Sequence, residues 1–231
     1  MPTTQRPSQP PAAESPAHQA PYPVDAVISL GREETSKLLR LMRSQQVLPP
    51  LCHPWGSGPA YRVLLALSLL DVPEGAMTDD LAQRVHVLSA LSSVVVLTAG
   101  PVDSTELLRA GAANVLPRHT PPRELAGRLT AERRWLAASA PRREQGPHLL
   151  PRRMARPRQL SQQILQDVLL SSARPWCCHE LCLLLGTAGA PVSRRALQAR
   201  MGRLSERLTP YGLSVTSTVQ WGRTVYTGIG G

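Results

Sequence analysis

The strongest constraint in this sequence is a pair of short, nearly unbroken apolar runs, Arg62–Leu70 and Ser93–Leu97. A strand with one solvated face alternates apolar and polar residues. A strand without a polar side is covered on both faces, as in a parallel sheet sandwiched by helices. The flanking chain keeps the same rhythm. Val24–Leu30 is a short β-like run, and Glu33–Gln46 carries Leu38, Leu39, Leu41 and Met42 at helical spacing. Val47–Cys52 reads as a weak strand despite Pro49 and Pro50, and His53–Pro59 as a Gly/Ser/Pro loop. Thr78 caps a helix reaching about Leu91, and Ser104–Ala110 is a short helix stopped by Gly111. Ala113–Leu116 is a brief strand, and Pro122–Ala138 a last helix with proline in its first turn. Strand–helix alternation of this kind gives an α/β fold. Its site residues belong just after Leu30, Leu67, Leu97 and Leu116, at the carboxyl ends of the strands.

Composition divides the remainder. Residues 1–22, rich in Pro, Gln, Ser and Ala, have too few apolar groups to offset ordering entropy and read as a disordered tail. Residues 23–139 form the α/β unit, residues 140–158 a Pro- and Arg-rich linker, and residues 159–231 a second, helix-rich unit. The second unit ends in Leu213–Val219 and Thr224–Ile229, two alternating runs around Gln220-Trp221-Gly222-Arg223, a hairpin signal. Net charge is +10, almost all of it from arginine, since Lys37 is the only lysine. Such a balance favours a polyanionic partner, nucleic acid before an anionic membrane. No apolar run is long enough to span a bilayer and the start does not read as a signal peptide, so a cytoplasmic location without a membrane partner is expected. Cys177-Cys178-His179-x-x-Cys182 invites a zinc reading, but zinc sites pair two spaced ligand couples. Structural thiols are the expectation, with no metal and no cofactor.

Val94-Val95-Val96-Leu97-Thr98-Ala99, followed by Glu106-Leu107-Leu108-Arg109-Ala110-Gly111-Ala112-Ala113-Asn114-Val115-Leu116, resembles the receiver domain of response regulators. The resemblance covers roughly residues 24–138 and implies a flavodoxin-like, doubly wound parallel sheet. It also implies a site with an acceptor aspartate after the third strand, an acidic magnesium-holding pair after the first, a Thr or Ser after the fourth and a Lys after the fifth. Counted along the apolar run, the acceptor position falls on Ala66, the acidic pair near Ser29 and Leu30, the hydroxyl on Thr98 and the lysine on Arg118. The second helix of the family is missing between Cys52 and Arg62. An alanine has no oxygen to phosphorylate, and a site without carboxylates holds no magnesium, so the pocket reads as degenerate. A shift in register would instead bring Asp71, Glu33 or Glu34 into it. The resemblance further implies a homodimer through Ser104–Ala110, Ala113–Leu116 and Pro122–Ala138.

Glu180-Leu181-Cys182-Leu183-Leu184-Leu185, Pro191-Val192-Ser193-Arg194-Arg195-Ala196-Leu197, Arg203-Leu204-Ser205-Glu206-Arg207-Leu208 and the Val215–Ile229 hairpin resemble an OmpR-type winged-helix effector domain. The resemblance places its first core helix at 180–185, its second from Ser193, and the end of a nearly fused recognition helix at 203–208. The family's leading antiparallel sheet is replaced by a helical stretch at 159–172. It also implies RNA polymerase as a further partner. Independently, Leu197, Met201, Leu204 and Leu208 fall on one helical stripe, with Arg200, Arg203 and Arg207 on a second about 100° away, unless Gly202 breaks the helix. Guanidinium groups so arranged suit phosphate contact and guanine reading. The expected DNA-binding residues are Arg194, Arg195, Arg200, Arg203, Arg207, Arg223 and Thr224. The sequence therefore reads as a DNA-binding transcriptional regulator, an atypical response regulator without control by aspartyl phosphorylation. The alternative is an adaptor or ligand-sensing pseudo-receiver that acts through protein contacts. No catalytic triad, phosphate-cradling glycine loop or metal-ligand pair stands out, so no enzyme is expected.

Overall fold

The computed structural model describes residues 22–31, 40, 42–43, 47–48, 52–57, 66–76, 79–139, 157–172 and 174–230. The expected tail at 1–22 and linker at 140–158 lie almost wholly outside the described residues. So does most of the helix expected at Glu33–Gln46, of which Arg40, Met42 and Arg43 are described and helical.

The amino-terminal unit is a five-stranded parallel sheet of β1 (Ala26–Ser29), β2 (Cys52–Pro54), β3 (Leu67–Val72), β4 (Ser93–Thr98) and β5 (Ala112–Pro117), in the order β2-β1-β3-β4-β5. This is the receiver-like, doubly wound order, whose direction of winding reverses between β1 and β3. The side chains of β1, β3 and β4 alternate between two cores. Val27, Leu67, Leu69, Val95 and Leu97 join one, while Ile28, Leu70, Val72, Val94 and Val96 join the other. That alternation between two apolar surfaces is why the runs carry so few polar residues. The first core is closed by α3 (Pro122–Ser139) through Leu125 and Leu129. The second is closed by α1 (Leu81–Ser89), which buries Leu81, Val85 and Leu88, and by Leu107 of α2 (Ser104–Arg109).

β2 lies later than expected, on Cys52–Pro54 instead of Val47–Cys52. It is an edge strand, where a proline without an N–H is tolerated. β3 also runs later than the apolar run suggested: the strand is Leu67–Val72 and ends where Pro73 and Gly75 (φ 76°) turn the chain.

The carboxy-terminal unit comprises α4 (Leu160–Ser171), β6 (Trp176–Cys177), α5 (Cys178–Leu185), α6 (Arg194–Leu208), β7 (Leu213–Gln220) and β8 (Arg223–Gly230). The three strands form an antiparallel sheet ordered β6-β8-β7. Gln220 pairs with Arg223, leaving the two-residue turn Trp221-Gly222 with φ of 51° and 74°. Two positive φ angles in a row match the right-handed twist of a tight hairpin. Ser193 caps α6 by accepting from the Ala196 N–H at 3.2 Å, and the helix continues through Gly202 without a break. Cys177 caps α5 through its sulfur while Glu180 reaches back to the Cys177 amide. Cys178 and Cys182 are buried in the core. The stretch expected to carry a nearly fused second and third helix is one continuous helix, Arg194–Leu208. Residues 159–172 hold the first helix of this unit, 178–185 the second, and 194–208 the third.

The two units close on each other along α1 and α5, and their apolar residues merge into one core. Trp55, 3% exposed, donates its indole N–H to the Leu183 carbonyl at 2.9 Å. Arg84, 1% exposed, bonds the Thr187 carbonyl at 3.2 Å, is held by Asp80 at 2.8 Å, and lies 5.0 Å over the Trp55 ring. Gly56 has φ 84°, and a Cβ there would run into the Gly186 carbonyl oxygen. Gly56→Ala is therefore expected to open the joint. Small-angle scattering would show a larger radius of gyration with unchanged far-UV circular dichroism, and a wild-type scattering profile would contradict it. Trp55→Ala, which also empties a large buried volume, is expected to cost about 3–5 kcal/mol in denaturant unfolding.

Candidate functional site

Two places in the fold collect the residues singled out from the sequence. The first is the carboxyl edge of the parallel sheet, at the reversal between β1 and β3. There Ser29 pairs in register with Asp71, Thr98 closes β4, and Arg118 follows β5 with its amide on the Thr98 carbonyl at 2.7 Å. Leu30 is buried beside them, its amide on the Asp71 carbonyl at 2.9 Å. Ala66 is not part of this group. It precedes β3 at the opposite end of the sheet, where its amide is held by Asp25 Oδ2 at 2.8 Å. The carboxylate at the carboxyl end of β3 is Asp71, five places further on. The apolar run misled the count because its first residues come before the paired strand. The Pro73–Gly75 turn was the available signal, since a strand's carboxyl end is fixed by what stops it.

Asp71 is completely buried and doubly engaged. Ser29 Oγ donates to Oδ2 at 2.9 Å, and Arg118 Nε donates to Oδ1 at 2.8 Å with Nη2 at 3.5 Å from Oδ2. Burial pushes the Asp71 carboxyl above its ordinary value, against the downward pull of Arg118 and Ser29. No group of three His, Cys, Asp or Glu able to hold a metal ion occurs among the described residues. Glu33 and Glu34 lie outside them. Ser29 thus offers the Asp71 carboxylate a hydroxyl, and Arg118 answers its charge with a guanidinium.

The second place is the outer face of α6 with the adjoining hairpin. Leu197, Met201, Leu204 and Leu208 are buried. Arg195, Gln198, Ala199, Gly202, Arg203 and Glu206 face solvent. Arg200 and Arg207 are half-buried, so within the expected stripe of Arg200, Arg203 and Arg207 it is Arg203 that is exposed. At 100° per residue they sit about 70° and 90° from the middle of the buried stripe, on its flank, whereas Arg203 and Arg195 sit about 130° and 150° away. Arg194 is exposed at the helix start, Arg223 is exposed beside the hairpin turn, and Thr224 is half-buried. Arg194, Arg195, Arg203 and Arg223 make no hydrogen bond or ion pair among the described residues. By contrast Arg84, Arg118, Arg128, Arg133 and Arg174 each hold a carboxylate. Ala199 and Gly202, small and central on the exposed face, leave the helix backbone open to close approach.

Asp71→Ala is expected to cost about 3–5 kcal/mol, because it removes the carboxylate that answers a partly buried guanidinium. A double-mutant cycle with Arg118→Ala should return a coupling well above that of a surface pair; a coupling near zero would refute the pairing. The raised carboxyl also sets a sign. The folded state takes up a proton at higher pH than the unfolded one, so this group's contribution is fully present below the unfolded value and is lost as pH rises through the folded one. The stability of wild type relative to Asp71→Asn should therefore increase as pH falls from neutral towards the ordinary carboxylate range.

No family model matches the chain, and no curated protein matches it. Among solved structures, the chain is similar to a protein of a redox-sensor family of the streptococci, described as evolved from two-component response regulators. The identity is 16% over 89% of this chain and 100% of that one, with a TM-score of 0.34. A mutant of RitR overlays at 16% identity, 89% of this chain and 99% of that one, with a TM-score of 0.33. Overlays this loose carry no argument about function. What the chain has in common with response regulators is its five-stranded receiver-like α/β unit, read from its own strand order and register.

Proposed function

We propose that this protein is a DNA-binding transcriptional regulator whose carboxy-terminal unit is a winged helix and whose receiver-like unit works without aspartyl phosphorylation. The observation that carries the reading is the exposed face of α6. A helix fixed by a continuous buried stripe turns Arg195 and Arg203, neither in an ion pair, to solvent with a glutamine, two small residues and Glu206, next to a tight hairpin bearing Arg223. A helix about 10–12 Å across enters a major groove about 12 Å wide, where arginine pairs with guanine or phosphate. The hairpin tip, with Trp221 fully exposed, projects beside it. The helix–strand–helix–helix–hairpin order, with β6 on β8, supports the winged-helix reading.

The state of Asp71 supports independence from a phosphorelay. A phosphoryl group arriving there would have to displace Arg118 and Ser29, and the described residues offer no acidic pair beside it to hold a cation. Dimerisation through α2, β5 and α3 is the companion reading. Leu108 on α2 and Trp135 on α3 are 48% and 62% exposed, apolar groups that a second copy would cover.

The test is direct. Fluorescence anisotropy with pooled genomic duplexes should show binding that weakens steeply with salt. Arg195→Ala with Arg203→Ala should weaken it by about 100-fold and lower the salt slope by roughly one for each phosphate left without its guanidinium. Indifference to every duplex at low salt would sink the reading. Incubation with acetyl phosphate and magnesium should give no phosphoryl mass gain; a gain mapped to Asp71 would overturn the phosphorelay statement alone. Leu108→Glu with Trp135→Glu should convert a dimer to a monomer in analytical ultracentrifugation, and an unchanged mass would exclude that face.

A further inference from the structure

We infer that the cleft between the two units is a binding site for a small anion carrying an apolar or aromatic body, and that its occupant competes with DNA for Arg194 and Arg223. The second half of this inference rests on the DNA-binding reading above; the first half does not.

The joint made by Trp55 and Arg84 leaves a gap beside it of about 710 Å³. That volume falls among ordinary small-molecule sites, which favour domain interfaces. The receiver-like unit lines it with Ala82, Gln83 and Val87 of α1 and with Ala110, and the other unit with the first turns of α5 and α6 and the turn end of the hairpin. Leu183, Leu197 and Tyr226 give the cleft an apolar floor, and each is buried. Arg194 and Arg223, from a helix and a strand distant in sequence, meet in the same wall.

Charge decides the class of ligand. Glu180 is the one acidic residue of the wall among the described residues. Its carboxylate is already committed, accepting from the Cys177 amide at 2.7 Å and pairing with Arg174 at 3.1 Å, with His86 Nε2 3.6 Å away. The two arginines therefore face the cleft without a counter-charge. A carboxylate, sulfonate or phosphate would supply it, and the apolar floor would take a ring or chain attached to that group. A purely apolar ligand would leave the guanidiniums unanswered, and an inorganic ion would leave the floor uncovered.

Competition follows from position. Arg194 opens α6 and Arg223 opens β8 after the hairpin turn, so both border the face proposed to read DNA. A guanidinium bound to an anion in the cleft is no longer available to a phosphate outside it.

The probe is anilinonaphthalene sulfonate, a sulfonate on an aromatic body, titrated into the full chain. Saturable fluorescence enhancement is expected, weakened about tenfold or more in Arg194→Ala with Arg223→Ala, absent in Ala82→Trp, which fills the cleft from the other wall, and unchanged in Arg203→Ala. Displacement by ATP would assign a phosphate head and displacement by salicylate a carboxylate. In the anisotropy assay the probe should raise the apparent DNA dissociation constant of wild type and leave that of Ala82→Trp alone. An enhancement that does not saturate, or that ignores both the arginine pair and Ala82→Trp, overturns the site. If the protein ignores DNA while probe binding keeps its dependence on Arg194 and Arg223, the function reading fails and the site stands. If DNA binds and the probe does not, the site fails and the function reading stands.

Discussion

A buried arginine holds this molecule's two halves in one arrangement. Arg84 is almost entirely shielded from solvent, so its charge must be answered within the protein. Asp80, one helical turn earlier, supplies the carboxylate; the Thr187 carbonyl and the Trp55 ring supply the rest. Two of those partners belong to the receiver-like unit and one to the other, so separating the units would strip the guanidinium of a bond and wet the indole. The Trp55 bond to Leu183 adds a directional constraint, and the close approach of Gly56 to Gly186 requires a residue without Cβ. The cleft inherits its shape from this joint, because α1 is at once the helix that carries Arg84 and the wall of the gap.

The pocket at the sheet edge shows the same physics with a different result. A receiver-type site needs acidic groups close together and a divalent cation to hold them there. Among the described residues one carboxylate stands there, and Arg118 answers its charge at 2.8 Å. A fixed guanidinium cannot dissociate and be exchanged as an ion can. The arrangement favours a single state of the pocket, with Ser29 absorbing the remaining lone pair. Burial of the pair keeps it from being a large stabiliser; its effect is to specify which groups meet.

How much of this was legible in the sequence depended on whether the signal was local. The apolar runs of β3 and β4 declared a sheet covered on both sides, and Ser193, the Ala-Gly-Ala stop after α2 and the Trp221-Gly222 turn each declared an end. Those are effects of a few adjacent residues on backbone conformation. The position of Asp71 was less legible, because the length of an apolar run does not say which part of it pairs. The buried stripe of α6 was legible from its spacing, whereas the half-burial of Arg200 and Arg207 on its flank depends on what packs beside the helix and was not. The joint was illegible: Trp55 and Leu183 are 128 residues apart, and no periodicity links them.

The net charge of +10 acquires meaning only once the arginines are sorted by their partners. Arg84, Arg118 and Arg133 sit against Asp80, Asp71 and Asp25 and serve the fold of the amino-terminal unit. Their fields are largely cancelled at short range and contribute little to attraction at a distance. Arg195 and Arg203 on α6, with Arg194 and Arg223 at its border, have no such partner. Four guanidiniums without an acidic partner among the described residues thus gather around one face of the smaller unit. A polyanion reaching that face meets charge that no nearby carboxylate cancels. An anion small enough to enter the cleft meets two of the same groups with an apolar surface behind them. The one patch thus distinguishes its partners by size and by the apolar area each can cover, and its affinity for one depends on the other only as far as both need Arg194 and Arg223.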